Sequence, residues 1–193
     1  MNPVFDRKWG FIFYTGAEMK YKVICLIVTV FVVMPNIAFG QSAKEAISAL
    51  KILEARTEAG ISYRNYGPAL GGAKFEVNMY LDTKEAKSKV KLTESIKKTL
   101  WHYENAAKVW RGALNHNGII YTNTKLAEWI IQVYPDTKKP YNEGGATQTS
   151  NDGKGEFLAY PKLIRMIWAE ALSELKSATA LLSGSKQSTS KRE

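Results

Sequence analysis

After residue 40 the apolar residues of this chain recur every three or four positions in four separate segments, and a stripe with that period can be hidden from water only along one face of a helix. In the second segment Leu92, Ile96, Leu100, Tyr103, Ala107, Trp110 and Leu114 share a face, while Lys97, Lys98, Glu104 and Lys108 lie elsewhere around the axis. The spacing predicts an amphipathic helix of about six turns. Asn115-His116-Asn117-Gly118 ends it, because Asn and Gly accept the left-handed conformation that closes a helix. The first segment, Ser42 to Leu81, places Ile52, Ala59, Tyr63, Tyr66, Leu70, Ala73, Val77 and Tyr80 on one stripe. Gly60, Gly67-Pro68 and Gly71-Gly72 interrupt it, and a kink or short break is expected at Pro68, which cannot donate to the carbonyl of Arg64. In the third, Thr122 or Asn123 caps a short helix presenting Leu126, Ile130 and Val133, and Pro135 ends it. The fourth runs from about Phe157 to Leu182, has Pro161 in its first turn and presents Ile164, Ile167, Trp168, Ala171, Leu172 and Leu175.

No segment carries the alternation of a strand. The expectation is therefore an all-α fold, a mostly antiparallel four-helix bundle with a kinked long first helix and a long loop between the third and fourth helices. That loop is residues 135–155, PDTKKPYNEGGATQTSNDGKG, far longer than the usual ~4–6 residues. A single helical domain is expected over 41–182 and a disordered tail over 183–193.

Residues 1–40 differ in kind. From Met19, Lys20 and Lys22 precede a nearly continuous apolar run from Val23 to Met34, Pro35 ends it, and Ala38-Phe39-Gly40 sets small residues where a signal peptidase requires them. The segment reads as a secretory signal peptide over 19–40, cleaved after Gly40, which sends the chain to the periplasm or the medium. A membrane anchor is the competing reading, but the twelve residues of that run fall short of the roughly 20 that span a bilayer, so no permanent membrane span is expected after cleavage. Residues 1–18 stand ahead of a signal already complete from Met19, which makes Met19 the expected start of translation.

Of 27 Lys and Arg and 18 Asp and Glu, 23 and 16 lie beyond Gly40, a net of +7. The one cysteine, Cys25, falls inside the signal. The exported part therefore excludes a disulfide framework, a cysteine-based zinc site, c-type haem attachment and a cysteine nucleophile. Di-iron bundle chemistry requires Glu-x-x-His, yet His102 follows Thr99 and His116 follows Ala113 at that spacing. Haem ligation by His and Met has His102, His116, Met79 and Met166 to draw on, but His102 sits at the edge of its apolar face and reads as an ordinary histidine. Glu170 and Glu174 read as a solvated helix edge, and Asn151 to Glu156 lacks the acidic ligands of a calcium loop. With no G-x-S-x-G element either, no catalytic residue, metal or cofactor is assigned.

Two features point outward. Lys84, Lys87, Lys89, Lys91, Lys97 and Lys98 face only Glu85 and Glu94, a run that attracts an anionic envelope component such as lipid headgroups. It carries no interleaved aromatic residues on which bases stack, which argues against nucleic acid. Tyr141, in the long loop beside Lys138 and Lys139, has the contact area and few rotatable bonds of an interface anchor. The candidate partner contact is thus Tyr141, Lys138, Lys139, Lys87, Lys91 and Lys97. Trp101, Trp110, Trp129 and Trp168 with Tyr63, Tyr66, Tyr103 and Tyr160 read first as core packing and second as the walls of a small-molecule pocket between helices. The expected protein is an exported, non-enzymatic binding or envelope-associated protein. Its alternative is a small-molecule or cofactor carrier or sensor that uses an aromatic interior.

Overall fold

The computed structural model describes residues 42–189 except 152 and 154, with side chains to residue 184. The expected signal peptide, its cleavage point and the expected Met19 start lie outside the described residues. In chain order the elements are α1 (Ala43–Glu58), α2 (Tyr63–Leu81), α3 (Lys84–Ser88), α4 (Val90–Asn115), β1 (Ile119–Tyr121), α5 (Lys125–Val133), 3₁₀ turns at Pro135–Lys138 and Tyr141–Glu143, β2 (Thr147–Thr149), β3 (Glu156–Ala159) and α6 (Tyr160–Thr189). The fold is mostly helical, with one small sheet.

α1 begins in a reciprocal cap: the Glu45 backbone N–H donates to Ser42 Oγ, and the Ser42 N–H donates to the Glu45 carboxylate at 2.7 Å. Glu85, on α3, accepts from the Ala43 N–H at 3.2 Å and ties the two helix starts together. Its carboxyl is held below the usual range, first by the hydrogen bond from Lys89 and then by this backbone donor.

The expected long first helix is two helices. The break lies at residues 59–62, where Gly60 takes φ 88° and ends α1, while Pro68 sits inside α2. Without Cβ, Gly60 adopts this left-handed conformation at little cost; Pro68, in the second turn of α2, leaves the Arg64 carbonyl without its helical donor, yet the helix continues through it. The break also resets the helical phase. Val77 and Tyr80 face inward as the stripe predicts, but Ile52 is 55% exposed and the buried line of α1 is Ala46, Leu50, Leu53 and Thr57. In α4 the stripe shifts by one residue toward its end: Ala106, Val109 and Ala113 are buried, Trp110 is half-buried, and Leu114 is 48% exposed. The predicted terminator of α4 is present, with Asn117 at φ 53° and Gly118 at φ 83°.

α4 packs along α6, α1 packs on α2 and α6, and α2 packs on α4. Tyr66, Tyr80 and Tyr103 are wholly buried where these helices meet. The Tyr66 hydroxyl donates to the Tyr103 carbonyl at 2.8 Å, and Tyr80 and Thr93 share a 3.0 Å hydroxyl bond. Such bonds let large rings enter the core without stranding their polar ends. Leu163, Ile167 and Leu175 fill the same core from α6. That helix runs through Ser183-Gly184, where the sequence suggested a stop, to Thr189.

The region expected to be a long loop is built instead into the domain. β3 is the centre of a three-stranded antiparallel sheet, with Ile120 opposite Leu158 on the β1 side and Thr147 opposite Leu158 on the β2 side. Ile120, Leu158, Ala146 and Thr137 are buried. Thr137 donates its hydroxyl to the Tyr134 carbonyl at 2.6 Å, and Ala146 donates its N–H to the Thr137 carbonyl at 3.0 Å. A Cβ on Gly145 would stand 1.9 Å from the Lys139 carbonyl oxygen, so this crossing of two backbones requires glycine. Strands of three and four residues are too short to show alternation, and β3 lies at the edge of a helical stripe that masks it.

Candidate functional site

The helices leave a cleft of about 630 Å³ between the end of α1, Trp110 of α4 and the first three turns of α6. Glu54, Glu58 and Ile61 form one wall. Tyr160, Ile164, Trp168 and Leu172 form the other, with Arg165 and Ala169 beside them. The spacing 160, 164, 168, 172 is one helical face, and this face turns toward the cleft because Leu163, Ile167 and Ala171 hold the adjacent face in the core.

Trp110 and Trp168 are half-buried, with ring centroids 5.9 Å apart and planes at 64°. Behind them Tyr66 stands 5.6 Å from Trp110 and 5.8 Å from Trp168. Trp168 Nε1 donates to the Tyr66 hydroxyl at 3.2 Å, which in turn donates to the Tyr103 carbonyl. This chain of bonds fixes the Trp168 ring from the core side and leaves part of it uncovered. Burial pushes the Tyr66 phenol up, so it remains a neutral donor.

The acidic wall is unusual for a basic chain. Burial raises the Glu54 carboxyl, and the charge of Glu58 and a hydrogen bond with it raise it further, against the opposing pull of Lys176 and Lys51. Neither Glu54 nor Glu58 forms an ion pair among the described residues. Tyr103, wholly buried, has a hydroxyl without a hydrogen-bond partner among the described residues. Its phenol is pushed up by burial and then by the charges of Glu54 and Glu58.

A second group of polar side chains lies farther along the same α4–α6 seam. His102 Nδ1 is 2.8 Å from the Tyr134 hydroxyl, and Asn105 Nδ2 donates to that hydroxyl at 3.0 Å. Because Asn105 takes a lone pair of the hydroxyl, its proton is free to donate to His102 Nδ1. Burial holds His102 below its ordinary value against Glu170 and Glu174, aided by Lys98. Burial likewise pushes Tyr134 up to about 12. A small pocket of about 250 Å³ here brings together His102 and Met166, two of the residues considered for haem, with Glu170 and Asp136.

The six residues predicted to contact a partner do not form one surface cluster by recorded contacts. Lys138 is exposed, but Lys139 pairs with Asp136 at 2.7 Å. Tyr141, 45% exposed, has the Lys162 ammonium 4.0 Å above its ring, and the same ammonium donates to the Tyr141 carbonyl. Lys87, Lys91 and Lys97 are exposed on α3 and the first turns of α4 and make no ion pair among the described residues. Their neighbours Lys89 and Lys98 are tied to Glu85 at 2.9 Å and Glu174 at 3.7 Å. Glu54, Glu58 and Arg165 were missed as site residues because they precede or interrupt the aromatic pattern in sequence and meet only across helices. The calcium-like run includes residues 152 and 154, outside the described set. Among the described residues no group of three or more His, Cys, Asp or Glu is placed to hold a metal. No family model, curated protein or solved structure matches the chain.

Proposed function

We propose that the chain is an exported, non-enzymatic binding protein, built as a mostly antiparallel four-helix bundle, whose ligand is a small molecule seated in the aromatic cleft. The bundle reading is supported by the pairing of opposite ends. Lys98 lies by Glu174 and Trp110 by Trp168, while Tyr66 reaches Tyr103 and Tyr80 reaches Thr93. Export is supported by the segment Met19 to Gly40. Among the described residues, no helix is long and apolar enough to cross a membrane.

The observation that carries the ligand reading is the Trp110–Trp168 pair, held in place by bonded core groups yet half-uncovered in a cleft of about 630 Å³. That volume lies within the ~300–1,000 Å³ range of small-molecule sites. Rings already ordered before binding reduce the entropy a ligand must offset. This reverses the order of the two expectations drawn from sequence. Tyr141 and Lys139 are occupied by Lys162 and Asp136, which weakens the partner contact, whereas the aromatic interior opens to solvent.

The test uses the neutral fluorescent probe N-phenyl-1-naphthylamine. Its emission should rise on titration with the protein. Ala169→Trp, which fills the cleft from an exposed position, should abolish the rise while leaving the helical circular dichroism and the melting transition in place. Equal binding by both proteins would rule out the cleft as the site.

A further inference from the structure

Resting on the cleft as a ligand site, we infer that its ligand is an organic cation, an ammonium or quaternary ammonium group attached to an apolar body, seated against the tryptophans and facing Glu54 and Glu58. Charge complementarity carries the first step. The whole chain has a net charge of +9, yet this cleft is lined by two carboxylates and a single base, Arg165. The sign of the protein is locally reversed where the space is.

Aromatic faces carry the second step. A cation over an indole or phenol ring is attracted by the ring's negative face. The chain already uses this contact elsewhere: Lys108 covers Trp129 at 3.6 Å and Lys162 covers Tyr141 at 4.0 Å. Trp110 and Trp168, the two indoles that line the cleft, have no internal cation over them among the described residues.

The carboxylate pair carries the third. Glu54 and Glu58 sit one turn apart on α1, and the charge of Glu58 adds to the cost of ionising Glu54. The charged groups bearing on Glu54 are Glu58 and Lys51 from α1, Lys176 from α6 and the neutral Tyr103 phenol from α4, with Arg165 across the cleft. Lys51 and Lys176 make no ion pair with it within contact distance among the described residues. An incoming cation would offset the burial and the neighbouring Glu58 charge that oppose ionisation of Glu54. The apolar body of the ligand would lie along Ile164 and Leu172.

Isothermal titration calorimetry with three probes of one size tests this: benzyltrimethylammonium, benzyl alcohol and phenylacetate. The cation should bind about tenfold more tightly than the alcohol, the range expected of one exposed charge contact plus a cation–π contact. Phenylacetate should bind most weakly. The double variant Glu54→Gln/Glu58→Gln should lose that preference for the cation while holding its affinity for benzyl alcohol within about twofold, since a Gln pair keeps shape and removes charge. Benzyltrimethylammonium does not titrate, so its affinity should also rise with pH through the acid range as Glu54 loses its proton. Equal or tighter binding of phenylacetate by the native protein overturns the cation and leaves the cleft as a site. A double variant that keeps the full preference overturns the role of the carboxylates. Binding of all three probes unchanged in Ala169→Trp overturns the cleft and the cation together.

Discussion

Two clusters on the α4–α6 seam use similar residues to opposite ends. Around Tyr134, His102 and Asn105 meet the Tyr hydroxyl, Trp101 stacks on its ring, and Pro135, Asp136 and Thr137 lie beside them. Around Trp110 and Trp168, the rings are fixed from beneath by Tyr66, and nothing in the described chain closes over them. In the first cluster the polar groups satisfy one another, so the arrangement serves the fold. In the second, among the described residues, the carboxylates bond each other but have no ion-pair partner and the buried Tyr103 hydroxyl has no hydrogen-bond partner, so the arrangement is available to something else. A buried or half-buried polar group is informative according to whether the protein itself completes it.

The largest effect should come from removing the β2 segment, whose Ala146 N–H holds the Thr137 carbonyl beside the first cluster. Replacing residues 142–154 with a short Gly-Ser linker deletes β2 and the buried Ala146, whose carbonyl accepts from Ala159 at 2.7 Å. The expected outcome is a loss of about 2–5 kcal/mol or outright unfolding, comparable to emptying a large core position. A chemical denaturation curve superimposable on the native one would show that this segment is not structural after all. The same replacement should spare the cleft geometry only to the extent that the helices survive it.

A smaller effect sharpens the difference between satisfied and unsatisfied groups. Tyr134→Phe leaves the buried Asn105 amide and His102 Nδ1 without their shared hydroxyl, which should cost about 1–3 kcal/mol. His102 adds a pH signature. Its folded-state value lies below the unfolded value near 6.5, so the stability it contributes is present above that pH and is lost as pH falls from there through the folded value. The facing groups are Glu170 and Glu174 on α6 and Lys98 on α4. Denaturant midpoints compared at neutral pH and at about pH 5.5 should fall for the native protein and fall less for His102→Asn, which keeps an acceptor without the titration.

The smallest effect belongs to the open cluster. The Glu54 carboxyl is raised, so its ionised form at neutral pH costs stability that vanishes once pH drops below the ordinary carboxylate range. Glu54→Gln should therefore raise the melting temperature slightly at neutral pH and leave it unchanged in acid. A lower melting temperature at neutral pH would make Glu54 a structural partner of Lys51 or Lys176.

The helical character of the chain was legible because a helix writes its period locally. Val77 and Tyr80 in α2, Leu92 to Tyr103 in α4 and Ile164 to Leu175 in α6 each declare their buried side within a few turns, and Asn117-Gly118 marks its stop by backbone preference alone. What tertiary structure decided is whatever depends on partners distant in sequence. β3 becomes a strand because Ile119–Tyr121 and Thr147–Thr149 supply its hydrogen bonds from both sides. Gly60, rather than Pro68, divides the first segment, since a glycine with positive φ ends a helix where the chain turns, while α2 runs on through its proline. The cleft was the least legible feature. Its acids come from α1, its aromatic rings from α4 and α6, and only helix packing brings Glu54 and Trp168 to the same opening. Local periodicity states which face is buried; only the packed helices determine which edge of that face is left open.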